Sequence, residues 1–164
     1  MSSDNLLLKE IEYKTEETNF GIRRSYVYPN GKLFSEFKSH TEMMGLPFIH
    51  FTRGKNPETG KRIIAKGIIA IGRISFGVIS IGQLALGFLA IGQFALGIVV
   101  LAQFAGALHT GIGQIVASYY MTIAQVGYGE YVLAQVGIGE YVMDMRNISP
   151  EAAEFFKPVL SLFK

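Results

Sequence analysis

Residues 82–97 read GQLALGFLAIGQFALG, a stretch without a charged side chain in which a glycine stands at every fifth position. The same spacing extends along the chain in both directions. Glycine occupies positions 67, 72, 77, 82, 87, 92 and 97, and alanine occupies positions 102 and 107. A fixed period over this length is typical of repeat architectures, so the period decides the fold class.

A period of five residues does not suit an α-helix. A helix turns by about 100° per residue, so successive glycines would lie about 140° apart around its axis and share no face. Each glycine would also cost a helix about 1 kcal/mol relative to alanine. In a β-strand, by contrast, a five-residue unit can turn a corner at its glycine and continue as the next side of a coil. The pattern therefore predicts an all-β protein, a β-solenoid with five-residue sides.

A polar signal recurs at twice this period. It consists of Gln83, Gln93, Gln103, Gln114, Gln125 and Gln135. Eight units of this longer kind fit between Arg62 and Met143. Because ten residues are too few to close a coil around a filled core, whereas twenty give four sides of five, we predict four sides per coil. This gives about four coils of about 20 residues, with glutamine ladders on two opposite faces and apolar residues on the other two.

Both flanks of the repeat predict caps, since repeat arrays need covered ends. The expected segments are an N-terminal β capping module, the solenoid and a C-terminal helical cap, at residues 1–61, 62–143 and 144–164. Asn30-Gly31 is typical of a hairpin turn in the first segment. In the last segment Ser149 is the expected N-cap. Phe155 and Phe156 are expected to pack over the last coil as capping residues.

Units of the form G-x-[ILF]-[AS]-[ILF] resemble those of pentapeptide-repeat proteins, which form square right-handed β-helices. Residues 45–72, GLPFIHFTRGKNPETGKRIIAKGIIAIG, more closely resemble the entry region of a widespread group of bacterial proteins. Those proteins continue into AIGxxAxG-type arrays and often end in a motif like PEAAEFF, found here at 150–156. The resemblance covers residues 45–156 and implies a bacterial repeat protein. The group has no established activity, so the resemblance implies no site residues.

The sequence offers no catalytic or metal-ligating set. The chain has no cysteine, and His40, His50 and His109 lack metal-ligand spacing. The recurring carboxylates, Glu130 and Glu140, would lie on opposite sides of a 20-residue coil, too far apart to act as an acid–base pair. The net charge of +2 is too small to favour nucleic acid. We therefore expect no enzyme activity, no cofactor, no metal and no nucleic-acid partner.

The charge distribution leaves two function classes open. No lysine, arginine, aspartate or glutamate lies between Ile74 and Gly129, a run of 56 residues. A thin coil cannot bury every apolar residue of such a run, so an apolar face is expected outside. The first interpretation is a non-catalytic scaffold that assembles with itself into an oligomer or filament. Its expected self-association residues are Val78, Phe88, Ile98 and Leu108.

The second interpretation is a protein embedded in, or associated with, a membrane through residues 74–129. The N-terminus, MSSDNLLLKE, lacks the pattern of a signal peptide, which favours a cytoplasmic location for the first interpretation. The sequence leaves the subunit number and any ligand open.

Overall fold

The computed structural model describes residues 11–161. The parts of the two predicted caps at residues 1–10 and 162–164 lie outside the described residues. The fold is all-β with one helix at the C-terminal end. Its elements are β1 (Lys14–Thr18), β2 (Gly21–Val27), β3 (Leu33–Ser39), β4 (Glu42–Met43), β5 (Leu46–Pro47), β6 (Ile49–Arg53), β7 (Ala65–Ser118), β8 (Met121–Met143) and α1 (Pro150–Ser161).

The N-terminal strands form an antiparallel meander that leads into the repeat. β1, β2, β3 and β6 pair in this order, and the turn between β2 and β3 contains Gly31 with a φ of 75°. β6 then pairs in parallel with the start of β7, where Ile49 lies opposite Ile69. β4 and β5 form a separate two-stranded hairpin. The meander therefore lies on the first edge of the repeat and pairs with its first strand segment.

β7 is wound into a stack of successive coils and does not run as a straight strand. Extended, its 54 residues would span about 180 Å. Instead, Gly87 lies directly against Gly77, so close that a Cβ built on Gly87 would meet the carbonyl oxygen of Gly77. Gly97 lies against Gly87 in the same way. The rings of Phe94 and Phe104 stack with their centroids 4.7 Å apart. The chain thus returns over itself every ten residues.

The interval lengthens where β7 meets β8. The parallel pairing there joins Thr110 to Met121 and Gly113 to Ala124, eleven residues apart. Two of the glutamine intervals, from Gln103 to Gln114 and from Gln114 to Gln125, are also eleven residues long, which is consistent with single-residue insertions in this part of the array. Gly139 then lies over the carbonyl oxygen of Gly129, so the ten-residue interval resumes.

The predicted arrangement of about four coils of about 20 residues is not confirmed, because the contacts recur at half that spacing. The reason lies in the size of the inward side chains. Ser75 and Ser80 come from opposite sides of one coil, and their hydroxyl oxygens are only 2.6 Å apart. Ala90 is fully buried and Val100 is 1% exposed at equivalent positions. Two five-residue sides can pack directly on each other when only small side chains lie between them.

Helix α1 packs beside the last coils. The backbone N–H of Ala152 donates to Oγ of Ser149 at 3.3 Å, which places Ser149 at the N-cap. Phe156 is fully buried, and the ring of Phe155 stacks on Tyr131 with centroids 4.2 Å apart. The helix therefore covers one side of β8 with its two phenylalanines.

Candidate functional site

The most unusual feature of the molecule is that its large apolar side chains lie outside the coils. Leu108 is 71% exposed, Leu96 is 59% exposed and Phe88 is 58% exposed, although each stands in the middle of an uncharged sequence. Soluble folds place such side chains inside and small or polar residues outside. We call the outer surface of residues 74–129 the apolar belt.

Equivalent side chains of successive coils form columns along the coil axis, because the chain returns every ten residues. One column is polar and five are apolar. The Gln column contains Gln83, Gln93, Gln103, Gln114, Gln125 and Gln135 and begins at Arg73. The apolar columns are the Phe94 column (Leu84, Phe94, Phe104, Ile115), the Leu96 column (Phe76, Leu86, Leu96), the Phe88 column (Val78, Phe88, Ile98, Leu108), the Leu89 column (Ile79, Leu89, Val99) and the Leu101 column (Ile81, Ile91, Leu101, Ile112).

The four residues expected to mediate self-association form the Phe88 column and face outward. Val78, Phe88 and Leu108 are exposed, and Ile98 is half-buried. The prediction of two glutamine faces is wrong, because a ten-residue coil brings every glutamine of the series onto one face. The apolar surface is correspondingly wider than the two apolar faces predicted from the sequence, since it occupies all the remaining columns.

Two long grooves run along the belt on either side of the Leu96 column. The groove next to the Phe94 column has a volume of about 670 Å³, and its floor is formed by the inward alanines Ala85 and Ala95. The groove next to the Phe88 column has a volume of about 890 Å³ and a floor of glycines, among them Gly87 and Gly97. Their walls are apolar side chains. The grooves offer van der Waals contact to an apolar partner and no set of polar groups for catalysis.

Charged residues collect at the two ends of the belt, and the predominant sign differs between the ends. The basic rim, before the belt, contains Arg53, Lys55, Lys61, Arg62, Lys66 and Arg73, all exposed, against the single carboxylate of Glu58. The acidic rim, after the belt, contains Glu130, Glu140, Asp144, Glu151 and Glu154 against the cations of Arg146 and Lys157. Tyrosines gather beside the acidic rim, where Tyr119 is 79% exposed and Tyr128 is 60% exposed. The belt is thus bounded by opposite charges and, at one end, by aromatic side chains.

A buried polar cluster joins the meander to the first coil. Glu36 and His50 are both almost fully buried, and Oε1 of Glu36 lies 3.1 Å from Nε2 of His50. On the other side of the ring, Nδ1 of His50 lies 2.8 Å from the backbone nitrogen of Lys66 and 3.1 Å from the carbonyl oxygen of the same residue. Arg24 and Lys38 contact the carboxylate at 2.7 and 3.2 Å.

The electrostatics of this cluster favour an ionised carboxylate. The hydrogen bond from His50, opposed by burial and supported by the cations of Lys38 and Arg24, lowers the pKa of Glu36 from 4.5 to about 2. Both ring nitrogens of His50 and both carboxylate oxygens of Glu36 have partners. The cluster therefore fastens the meander to β7 and leaves no polar atom free for a substrate.

The other residues weighed for chemistry lie apart. His40 is exposed and contacts the carbonyl oxygen of Thr18 at 3.1 Å, and the ring of His109 packs at an angle of 46° against that of Tyr120, with centroids 4.9 Å apart. Glu130 and Glu140 do not lie on opposite sides of a coil as predicted. They follow Gly129 and Gly139, which stack on each other, so these carboxylates occupy successive coils on one side. Within the described residues, no three His, Asp or Glu side chains are close enough together to hold a metal ion.

Between residues 11 and 161, no helix has both the length and the hydropathy needed to cross a membrane. Comparison with protein-family models, with curated proteins and with solved structures finds no match to this chain.

Proposed function

We propose that this chain is a non-catalytic structural protein whose apolar belt is embedded in a lipid bilayer, with the coil axis along the bilayer normal. The observation that carries the proposal is the outward placement of large apolar side chains on five of the six outer columns. The transfer of such a side chain from water into an apolar environment is favourable by roughly 25 cal/mol of free energy per Å² of apolar surface covered. A belt of this kind is unfavourable in water and favourable in hydrocarbon.

The height of the belt supports an upright orientation. Its 56 uncharged residues make between five and six coils. At a strand spacing of about 4.8 Å, these coils stack to about 26 Å, close to the hydrocarbon thickness of about 30 Å. The charged rims then lie at the two headgroup regions, and the tyrosines beside the acidic rim lie at an interface, where tyrosine is enriched.

The backbone of such a coil can also be accommodated in lipid. Hydrocarbon offers no hydrogen-bond partner to N–H and C=O groups, so these groups must be paired within the protein. Each coil of the belt has another coil above and below it, and the parallel ladder between β7 and β8 is an example of this pairing. The first edge is paired with β6, outside the belt. The last coil also lies beyond the belt, at the acidic rim.

Self-assembly in water is the weaker candidate because of geometry. A two-fold interface through the Phe88 column covers one face of the coil. Leu84 and Leu101, which are 51% and 48% exposed on other columns, would stay in water. Lipid surrounds the coil and covers every apolar column at once.

Flotation tests the proposal. The purified protein is reconstituted into phosphatidylcholine vesicles, floated on a density gradient, and washed with high salt at alkaline pH. We expect it to stay with the vesicles. The substitution Leu96→Lys places a charge inside the belt, where a lysine costs about 3 kcal/mol, and should reduce retention.

Gln135→Lys is the matched control, because Gln135 is equally an exposed residue but lies beyond the uncharged segment. It should leave retention unchanged. A protein that stays in the aqueous fractions, or equal losses in both variants, would contradict membrane embedding.

A further inference from the structure

The Gln column is the one polar strip on the apolar belt, and we infer that a second copy of this chain docks on it inside the bilayer. The inference rests on the proposed function. Gln83, Gln93, Gln103 and Gln114 are all exposed and all lie within the uncharged segment. An amide moved into hydrocarbon without hydrogen-bond partners costs several kcal/mol. A row of such amides facing lipid therefore needs a polar partner.

Hydrogen bonds along the column cannot supply all the partners. Each glutamine amide has two N–H donors and one carbonyl oxygen. Neighbouring glutamines, about 4.8 Å apart along the axis, can form a ladder in which each amide donates once and accepts once. One N–H of every glutamine then still points away from its own coil. Its natural acceptor in the bilayer is an amide oxygen on a facing column.

A second copy fits this requirement because the column is self-complementary. A two-fold axis along the bilayer normal brings the same column of two copies together at the same depth. Amides carry both donors and acceptors, so identical columns can bond to each other. The rest of the belt, including the Leu96 and Phe88 columns on the far side, remains in contact with lipid. Arg73, at the head of the column, lies at the basic rim, where headgroups can separate the two like charges.

Site-specific cross-linking tests this arrangement directly, since the chain has no native cysteine. Gln93→Cys and the control Phe88→Cys are reconstituted separately into phosphatidylcholine vesicles and treated with a copper–phenanthroline oxidant. A disulfide requires Cα atoms within about 7 Å, so only a column at the interface should link efficiently. We expect Gln93→Cys to form a covalent dimer at least roughly tenfold faster than Phe88→Cys.

A second variant measures the association itself. Gln83→Leu, Gln93→Leu and Gln103→Leu combined alter only exposed side chains, so the coil should keep its β circular dichroism spectrum. We expect the triple variant to float with vesicles but to dissociate in detergent, with a dimer dissociation constant raised roughly tenfold or more. Sedimentation in density-matched detergent measures it, with Phe88→Leu as the control.

The outcomes separate the inference from the proposed function. A protein that fails to float overturns both. A protein that floats but cross-links equally at the two cysteines, or better through the Phe88 column, overturns the inference alone. A triple variant that remains as dimeric as the parent also overturns it.

Discussion

Because small side chains face the interior of the coil and large ones face outward, substitutions at two adjacent residues should affect stability in opposite ways. Ala95 is 3% exposed and faces the interior, whereas Leu96 is 59% exposed and faces outward. Ala95→Leu adds three carbon atoms to a space so narrow that two opposing serine hydroxyls elsewhere in it are 2.6 Å apart. Overpacking a tight core costs 1–3 kcal/mol or more, and we expect a loss of about 3 kcal/mol or more here.

Leu96→Ala should cost far less. Full burial of a leucine is worth roughly 1.5–3 kcal/mol, and the larger part of this side chain contacts no other residue, so we expect a loss below about 1 kcal/mol. Urea unfolding in a non-ionic detergent, followed by circular dichroism, gives both values. A coil with its large residues inside would reverse the order, with Leu96→Ala costing about 2–5 kcal/mol and Ala95→Leu almost nothing. That reversal would refute the assignment of inner and outer columns.

Three further predictions concern the cap, the corners and the rims. Because the pKa of Glu36 is lowered to about 2, its ionised form stabilises the fold above pH about 4.5, and this contribution of roughly 3 kcal/mol is lost as the pH falls towards 2. Glu36→Gln should remove most of this acid sensitivity and should lower the free energy of unfolding at neutral pH. Unfolding measured at several pH values tests both effects. An unchanged response to acid would be inconsistent with a buried pair of Glu36 and His50. Gly87→Val should abolish the β circular dichroism spectrum, because the new Cβ would meet the carbonyl oxygen of Gly77. Gly106→Ala should keep that spectrum, because its Cβ would meet only a methyl group of Leu96. Equal spectra of the two variants would argue against coils that stack every ten residues. Replacing the lysines of the basic rim by glutamine should weaken capture by anionic vesicles at low salt and have no effect at high salt, and salt-independent binding would count against contact of this rim with headgroups.

The sequence predicted the class of the fold because the five-residue period is incompatible with a helix and compatible with strand segments that turn at glycine. It could not predict the number of sides per coil. That number depends on which residues face inward, and the prediction took ten residues as too few to close a coil around a filled core. The contact between Ser75 and Ser80 shows that small inward side chains allow a ten-residue coil to close. A clue was present in the sequence, since alanine or serine stands three residues after every repeat glycine from Gly67 to Gly92, and only Gly97 has a larger residue, Val100, at that place.

The candidate site was partly accessible from the sequence. The uncharged run and the outward position of Phe88 follow from composition and spacing. All the glutamines lie on one face only because each coil closes after about ten residues. This face could not be predicted without knowing the number of residues per coil. The contact between Glu36 and His50 depends on the pairing of β3 with β6. Glu36 lies opposite Thr52 and Lys38 lies opposite His50, so Glu36 and His50 are diagonal neighbours on one face of the sheet. No local sequence motif marks such a pair.

The upright belt is tested most directly by measuring depth in the bilayer. The chain has no tryptophan, so Ile74→Trp, Phe104→Trp and Val126→Trp each introduce a single fluorophore at the start, the middle and the end of the belt. Vesicles with bromine at shallow or deep acyl positions quench tryptophans at matching depths. The proposed orientation predicts deep quenching for Phe104→Trp and shallow quenching for the other two. Equal quenching at all three positions, or water-like emission from the middle one, would contradict a coil that crosses the bilayer.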